Sequence, residues 1–169
     1  MTPTLYFLRS SEEKIVQNML KFTHDNDKMY ADFFGHSDKD LGLYALVENK
    51  IAGAIWCRCL KKEQNAAGFI NEKTPILHVV VLEEFQGKGI GTFMMEQFLQ
   101  EAAVLYEQIS LAFNGENKEL KFYEKFAFSK ALNAEQKNLA NEGSVLVKKL
   151  EKKEIIRPTD GYDPRRWMD

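Results

Sequence analysis

Pro75-Ile-Leu-His-Val-Val-Val-Leu-Glu-Glu-Phe-Gln-Gly-Lys-Gly-Ile-Gly-Thr-Phe-Met-Met-Glu-Gln-Phe98 is the stretch on which the reading of this chain turns. Pro75 to Leu82 is almost unbroken apolar, the pattern of a central strand covered on both faces. Downstream, Ile90, Met94, Phe98, Ala102 and Leu105 recur on one face of a long amphipathic helix. Between them lies a glycine-rich turn, Gln86-Gly87-Lys88-Gly89-Ile90-Gly91. Glycines let the backbone bend sharply and approach a ligand closely. The free N–H groups of the following helical turn carry partial positive charge, so strand, turn and helix together predict an anion site suited to phosphates. Lys88 adds a full charge.

Three phosphate-binding turns compete for this segment. A Walker A loop requires Gly-x4-Gly-Lys-Ser/Thr, which the chain lacks. A dinucleotide fingerprint requires Gly-x-Gly-x-x-Gly, whereas the spacing here is Gly87-x-Gly89-x-Gly91. The third is Gln/Arg-x-x-Gly-x-Gly/Ala, which Gln86, Gly89 and Gly91 match. A purely structural turn is the remaining alternative.

Working outward, Thr4 to Leu8 reads as a first strand. Ser10 followed by Glu13 suggests a capping box opening a helix with Ile15, Val16, Met19 and Leu20 on its inner face. His24 to Asp40 is acidic and interleaved with Tyr30, Phe33 and Phe34, as for a loop plus a short helix. Leu41 to Val47 and Ile51 to Leu60 read as strands of a hairpin joined through Glu48, Asn49 and Lys50. Lys61 to Lys73 is a polar loop. Ile109 to Phe113 is a strand, Asn117 to Phe126 a short helix, Phe128 to Leu132 the start of another strand, and Ser144 to Leu150 the last. Residues 1–150 form the expected domain. Residues 151–169, with Pro158, Gly161 and Pro164 before Arg165, Arg166 and Trp167, read as a tail.

Composition bounds the function. The chain has 169 residues, 44% hydrophobic and 28% charged, which suits one soluble globular domain. A net charge of −2 gives no electrostatic case for nucleic acid. No apolar run approaches a membrane span, and the longest, Ile76 to Leu82, is broken by His78. Leu5 to Leu8 is too brief for a signal peptide. Cys57 and Cys59 are poorly placed to pair with each other and suggest a reducing compartment. The expectation is therefore a cytoplasmic protein that engages neither membrane nor nucleic acid. No Cys or His cluster accompanies the cysteines, so no metal is expected.

A second patch joins the glycine turn. Asn117-Lys-Glu-Leu-Lys-Phe-Tyr-Glu-Lys-Phe-Ala-Phe128 is similar to Asn-x-x-Ala-x-x-Phe/Leu-Tyr-x-Lys/Arg-x-Gly-Phe. Together with Gln86, Gly89 and Gly91 it resembles the GNAT acetyltransferases, and the order of elements from about Leu5 to Leu150 resembles their fold. Leu120 stands where Ala is usual, and Ala127 where Gly is usual. Trp56-x-Arg58, Gly68-Phe-Ile and Thr74-Pro75 further resemble an uncharacterised bacterial subgroup, although Ile76 stands where that subgroup often has Glu.

The resemblance implies an α/β (α+β) fold. Its sheet is mixed, mostly antiparallel, with about six or seven strands and about four flanking helices, splayed between strands 4 and 5. It implies acetyl-coenzyme A as co-substrate, with its pyrophosphate on Gln86, Gly87, Lys88, Gly89, Ile90 and Gly91. The pantetheine arm would lie against Val79, Val81, Asn117 and Tyr123. It also implies direct attack of an amine on the thioester. A backbone N–H near Val81 would polarise the carbonyl. Tyr123 would protonate the departing thiolate, since a phenol is protonated at neutral pH yet can donate. The fifth-strand glutamate used by related enzymes as a base is matched here by Ala112. His78, Glu72, Glu83 and Glu84 remain as candidate bases, as does a water chain. His78 has a suitable ordinary pKa, and the competing view is a hydrogen-bonded core histidine. The acidic segment Asp25, Asp27, Asp32, Asp38 and Asp40 is either a solvated face or the lining of a pocket for a cationic amine. The expected acceptor is a small-molecule or peptide amine, a homodimer is one oligomer open to the chain, and the alternative function is a non-catalytic acyl-coenzyme A binding or sensing module.

Overall fold

The computed structural model describes residues 2–115, 117–131 and 144–151, with the Asn117 side chain outside that description. The expected tail, apart from Glu151, lies outside the described residues. Seven strands form one sheet in the order β1-β2-β3-β4-β5-β7-β6: β1 (Thr4–Phe7), β2 (Leu41–Val47), β3 (Lys50–Arg58), β4 (Ile76–Val81), β5 (Gln108–Phe113), β6 (Ser129–Lys130) and β7 (Ser144–Lys149). Three α-helices are described: α1 (Glu13–Leu20), α2 (Ile90–Leu105) and α3 (Asn117–Lys125). The short helix expected between His24 and Asp40 is only a 3-10 turn, Lys28–Tyr30, begun by the Asp27 carboxylate accepting from the Met29 N–H at 2.9 Å.

Adjacent strands run antiparallel except β4 and β5. Those two are parallel because α2 carries the chain back across the sheet, the crossover such a pair requires. The hairpin between β2 and β3 turns on Glu48 and Asn49, both with positive φ (50° and 66°), the geometry of a tight two-residue loop.

The two faces of the sheet bury different layers. Ile90, Met94, Met95, Phe98 and Ala102 of α2 pack with Leu43, Ile55, Leu77, Ile109 and Leu111 on one face. Val16, Met19 and Leu20 of α1, with Tyr30 and Phe34, cover Trp56, Ile76 and Val80 on the other. Each large apolar side chain so buried contributes roughly 1.5–3 kcal/mol. Leu105, expected on the inner stripe of α2, is instead 52% exposed. It is the last helical residue, and buried Tyr106 turns inward after it.

The helical start after β1 also differs from expectation. The Arg9 N–H donates to Glu12 Oε1 at 3.1 Å, and Ser10–Glu12 is a 3-10 turn ahead of α1. Glu13 is freed from capping, and its Oε2 accepts from the Phe33 N–H at 2.8 Å, tying α1 to the segment beyond it.

α3 ends in a left-handed turn. The Phe128 N–H bonds Tyr123 O (3.1 Å) and the Ala127 N–H bonds Glu124 O (2.9 Å), with Ala127 at φ 68°. This is a Schellman closure with alanine where glycine fits better. Ala127→Gly is expected to raise stability by about 1 kcal/mol, because glycine carries no Cβ penalty at positive φ. Equal or lower unfolding midpoints in urea would contradict that account of the turn.

Candidate active site

β4 and β5 meet at a single residue pair, Ile76 with Ser110, closed by the Ser110 N–H donating to Pro75 O at 3.0 Å. Beyond it they part. β4 stays paired with β3 along its length, and β5 with β7. Leu82 donates its N–H to Ala52 O, on the β3 side, whereas the Pro75 carbonyl faces β5. Alternation along the strand therefore turns the backbone groups of Val79 and Val81 into the gap.

A cleft of about 910 Å³ occupies this gap and opens along the glycine turn. His78, Val79, Val81, Gln86, Gly87, Gly91 and Tyr123 line it. Lys88, Gly89 and Ile90 do not: Ile90 is buried beneath α2, Gly89 forms the N-terminal cap, and Lys88 lies 5.9 Å above the Phe85 ring. Glu83 lines the cleft, but Glu84 does not, and Glu72 accepts from the Lys62 N–H in the outer loop. Ala112 lines the cleft from β5 and offers no base there.

The turn suits a phosphate. Gly87 and Gly89 have φ of 77° and 81°, and a Cβ at either would meet nothing within 4 Å. Both positions are open to an approaching ligand. The first intrahelical bond of α2 runs from the Phe93 N–H to Gly89 O, which leaves the N–H groups of Ile90, Gly91 and Thr92 without an intrahelical acceptor. At Gly91 a Cβ would meet Val81 and Phe122 at ordinary contact distances, as a Gly/Ala position allows. Gln86 Nε2 donates to Val81 O at 2.9 Å and pins the turn to the end of β4. Lys125 Nζ reaches Thr92 Oγ1 at 3.3 Å and brings a cation to the first turn of α2.

α3 presents Lys118, Glu119, Phe122 and Tyr123 to the cleft, residues spaced for one helical face. Leu120, which stands where Ala is usual, packs against the core. Tyr123 sits among Phe113, Phe122 and Phe128 at ring distances of 5.3–6.2 Å. Burial, with Glu119 adding to it, pushes its phenol up to about 12. The hydroxyl is therefore protonated at neutral pH.

The opposite end is built by the segment after α1. Phe22, Thr23, His24, Asp25, Tyr30 and Ala67 join His78 there. The His78 ring stacks on Trp56 (5.3 Å, 13°) and packs against Tyr30 (4.4 Å). Its Nδ1 is buried without a hydrogen-bond partner among the described residues, unlike a satisfied core histidine. Burial lowers its pKa to about 4 against the pull of Asp25, so the ring is neutral at pH 7. Tyr30 donates its hydroxyl to Asp25 Oδ2 at 2.7 Å, and its carbonyl accepts from Trp56 Nε1 at 3.0 Å.

Of the acidic segment, only Asp25 lines the cleft. Asp27 starts the 3-10 turn, Asp32 accepts from Gln17 Nε2, and Asp40 pairs with Arg58 at 2.9 Å. Arg58 also donates to the carbonyls of Met29 and Asp32, so it clamps this segment and stays out of the cleft. Cys57 and Cys59 are free thiols, with Cys57 buried in the core. Asp25 was visible in the sequence only as one acid among several. Phe22 and Lys118 carried no signal, because Phe22 lies in the irregular turn after α1 and the role of Lys118 depends on which face of α3 meets the gap.

The acetyltransferase (GNAT) domain family model matches residues 39–130, and the chain belongs to that family. It is accordingly an acyltransferase, of a family whose acyl donor is acetyl-coenzyme A. No curated protein matches the sequence significantly. Among solved structures, a GNAT-family acetyltransferase from Streptococcus pneumoniae aligns with TM-score 0.65 at 16% identity, covering 88% of this chain and 99% of that one. The spermidine/spermine N-acetyltransferase of Vibrio cholerae aligns with TM-score 0.60 at 13% identity, covering 88% and 95%. An Arabidopsis thaliana protein in complex with the bisubstrate analogue CoA-Ac-MVNAL aligns with TM-score 0.61 at 22% identity, covering 89% and 100%. These likenesses establish the fold. No described helix is long and apolar enough to cross a membrane.

Gly89→Val places a β-branched side chain at φ 81°, in space a phosphate would approach. Coenzyme A affinity measured by calorimetry is expected to fall at least about tenfold while the fold persists. Unchanged affinity in the folded variant would remove the pyrophosphate from this turn.

Proposed function

We propose that this protein transfers an acetyl group from acetyl-coenzyme A to a primary amine by direct attack, without an acetyl-enzyme. The observation that carries this reading is the gap between β4 and β5. It joins the phosphate-ready turn at one end to His78 and Asp25 at the other, with Tyr123 on its wall. The pantetheine arm fits the gap as an added strand, bonding the backbone groups of Val79 and the N–H of Val81, whose carbonyl is already held by Gln86. The Val81 N–H then stands where the thioester oxygen gains charge.

The amine enters as an ammonium and must lose a proton before its lone pair can attack. Neutral His78 accepts that proton, and the Asp25 charge nearby favours the imidazolium formed. The nitrogen attacks the carbonyl carbon, the C–N bond forms, and the C–S bond then breaks. Tyr123 gives its hydroxyl proton to the leaving sulfur. The second nitrogen-bound proton, lost as the amide forms, returns through water to the Tyr123 phenolate. The net products are the amide, free coenzyme A and the one proton first held by His78. Neighbours whose names specify spermidine/spermine or a peptide analogue support an amine acceptor.

Tyr123→Phe keeps the ring among Phe113, Phe122 and Phe128 and removes only the hydroxyl. With thiol release followed under conditions where chemistry limits the rate, kcat is expected to fall by about 100-fold or more. Coenzyme A affinity should change little. Wild-type kcat in this variant would show that another group protonates the sulfur.

A further inference from the structure

We propose that the preferred acceptor is a small di- or polyamine, and that Asp25 binds its second, non-reacting cationic centre. The proposal rests on the transferase reading above and adds the substrate class to it. Asp25 is half-buried in the cleft wall, and its carboxylate accepts the Tyr30 hydroxyl and, at 3.5 Å, the Asp27 N–H. No cation pairs with it among the described residues, where Arg58 with Asp40 is the one ion pair. Lys118, the one lysine or arginine lining the cleft among the described residues, stands on α3, with Glu119 beside it. Glu83 stands beside the glycine turn. His24 is the other titratable group at the Asp25 end, beside Tyr30 and His78. Among the described residues that end therefore presents one uncompensated negative charge to whatever enters.

The second observation is the unpartnered, buried Nδ1 of His78. Tyr30 links the two groups, since its ring packs on His78 while its hydroxyl bonds Asp25. A buried nitrogen and a carboxylate with no cation, one tyrosine apart, fit a ligand bearing two nitrogens.

Charge decides which nitrogen goes where. A carboxylate gripping the attacking nitrogen would hold it as an ammonium and oppose its activation. A carboxylate gripping a second ammonium keeps its attraction through the whole reaction, so its binding energy serves positioning. Neutral His78 is then the partner of the reacting nitrogen. Phe22, 66% exposed and lining the same end, offers an apolar wall for the methylene chain between the two nitrogens.

The test compares kcat/KM for thiol release with an α,ω-diaminoalkane, a monoamine of equal chain length, and a short peptide with lysine next to its free N-terminus. Wild type and Asp25→Asn are assayed side by side. Asparagine keeps an oxygen for the Tyr30 hydroxyl and removes the charge. The diamine is expected to exceed the monoamine by about tenfold or more in wild type, mainly through KM, with the advantage shrinking as salt rises. In Asp25→Asn the diamine-to-monoamine ratio should fall towards one. Circular dichroism and coenzyme A affinity verify the fold of the variant. If Asp25→Asn does not fold, Asp25→Glu should retain the preference. Equal rates for diamine and monoamine in wild type, a ratio unmoved by Asp25→Asn, or a faster peptide would each overturn the assignment while leaving acetyl transfer standing. Thiol release with none of the three amines would overturn both.

Discussion

Everything in this fold depends on two strands that touch once and then separate. Backbone N–H and C=O groups withdrawn from water need partners, and an unpaired one costs free energy on the scale of a lost hydrogen bond. β4 is held by β3 along its whole length and β5 by β7, so each strand is satisfied on its outer side. On their inner sides only the Ile76 and Ser110 pair closes. The Ser110 hydroxyl reinforces this hinge point by donating to Gly68 O at 2.8 Å, tying the loop after β3 to the start of β5. A sheet parted in this way offers an extended ligand the same hydrogen bonds that another strand would have made.

The strand period then distributes roles along β4. Its alternate backbone groups face the gap at Val79 and Val81, while the His78 side chain leaves on the face covered by α1. In the proposed reaction one strand would thus serve the donor through its main chain and the acceptor through a side chain. Trp56, opposite His78 in the β3 register, backs the imidazole, and the Trp56 bond to the Tyr30 carbonyl holds the acceptor wall in place. Arg58 does the same for the rest of that wall by pairing with Asp40 and bonding two carbonyls. Asp27, Asp32 and Asp40 are consumed in building the loop, and of this acidic segment Asp25 alone faces the cleft.

The donor side was legible because its chemistry is local. A strand, a glycine turn and a helix follow one another without a break from Pro75 to Leu105, and the positive φ at Gly87 and Gly89 is what such a turn demands. The sheet was legible for the same reason, since the hairpin and the crossover are dictated by neighbouring residues. The acceptor side was not, because it is assembled from the turn after α1, the 3-10 segment, β4 and the loop after β3. No periodicity in Phe22 to Tyr30 reveals which acid will face inward. The cleft-facing side of α3 was legible only in part. Tyr123 lines the cleft, but the rotation that turns Leu120 towards the core and adds Lys118, Glu119 and Phe122 to the cleft is set by packing against the sheet.

The central claim is that the gap receives an extended acyl carrier on the backbone of β4. Amide hydrogen exchange resolved at Val79 and Val81, with and without coenzyme A, addresses it most directly. If the pantetheine arm completes the sheet, both amides should exchange at least about tenfold more slowly in the complex, beyond any global stabilisation seen at Leu111 and Phe98. Binding of coenzyme A that leaves exchange at Val79 and Val81 unchanged would place the arm elsewhere and contradict the account.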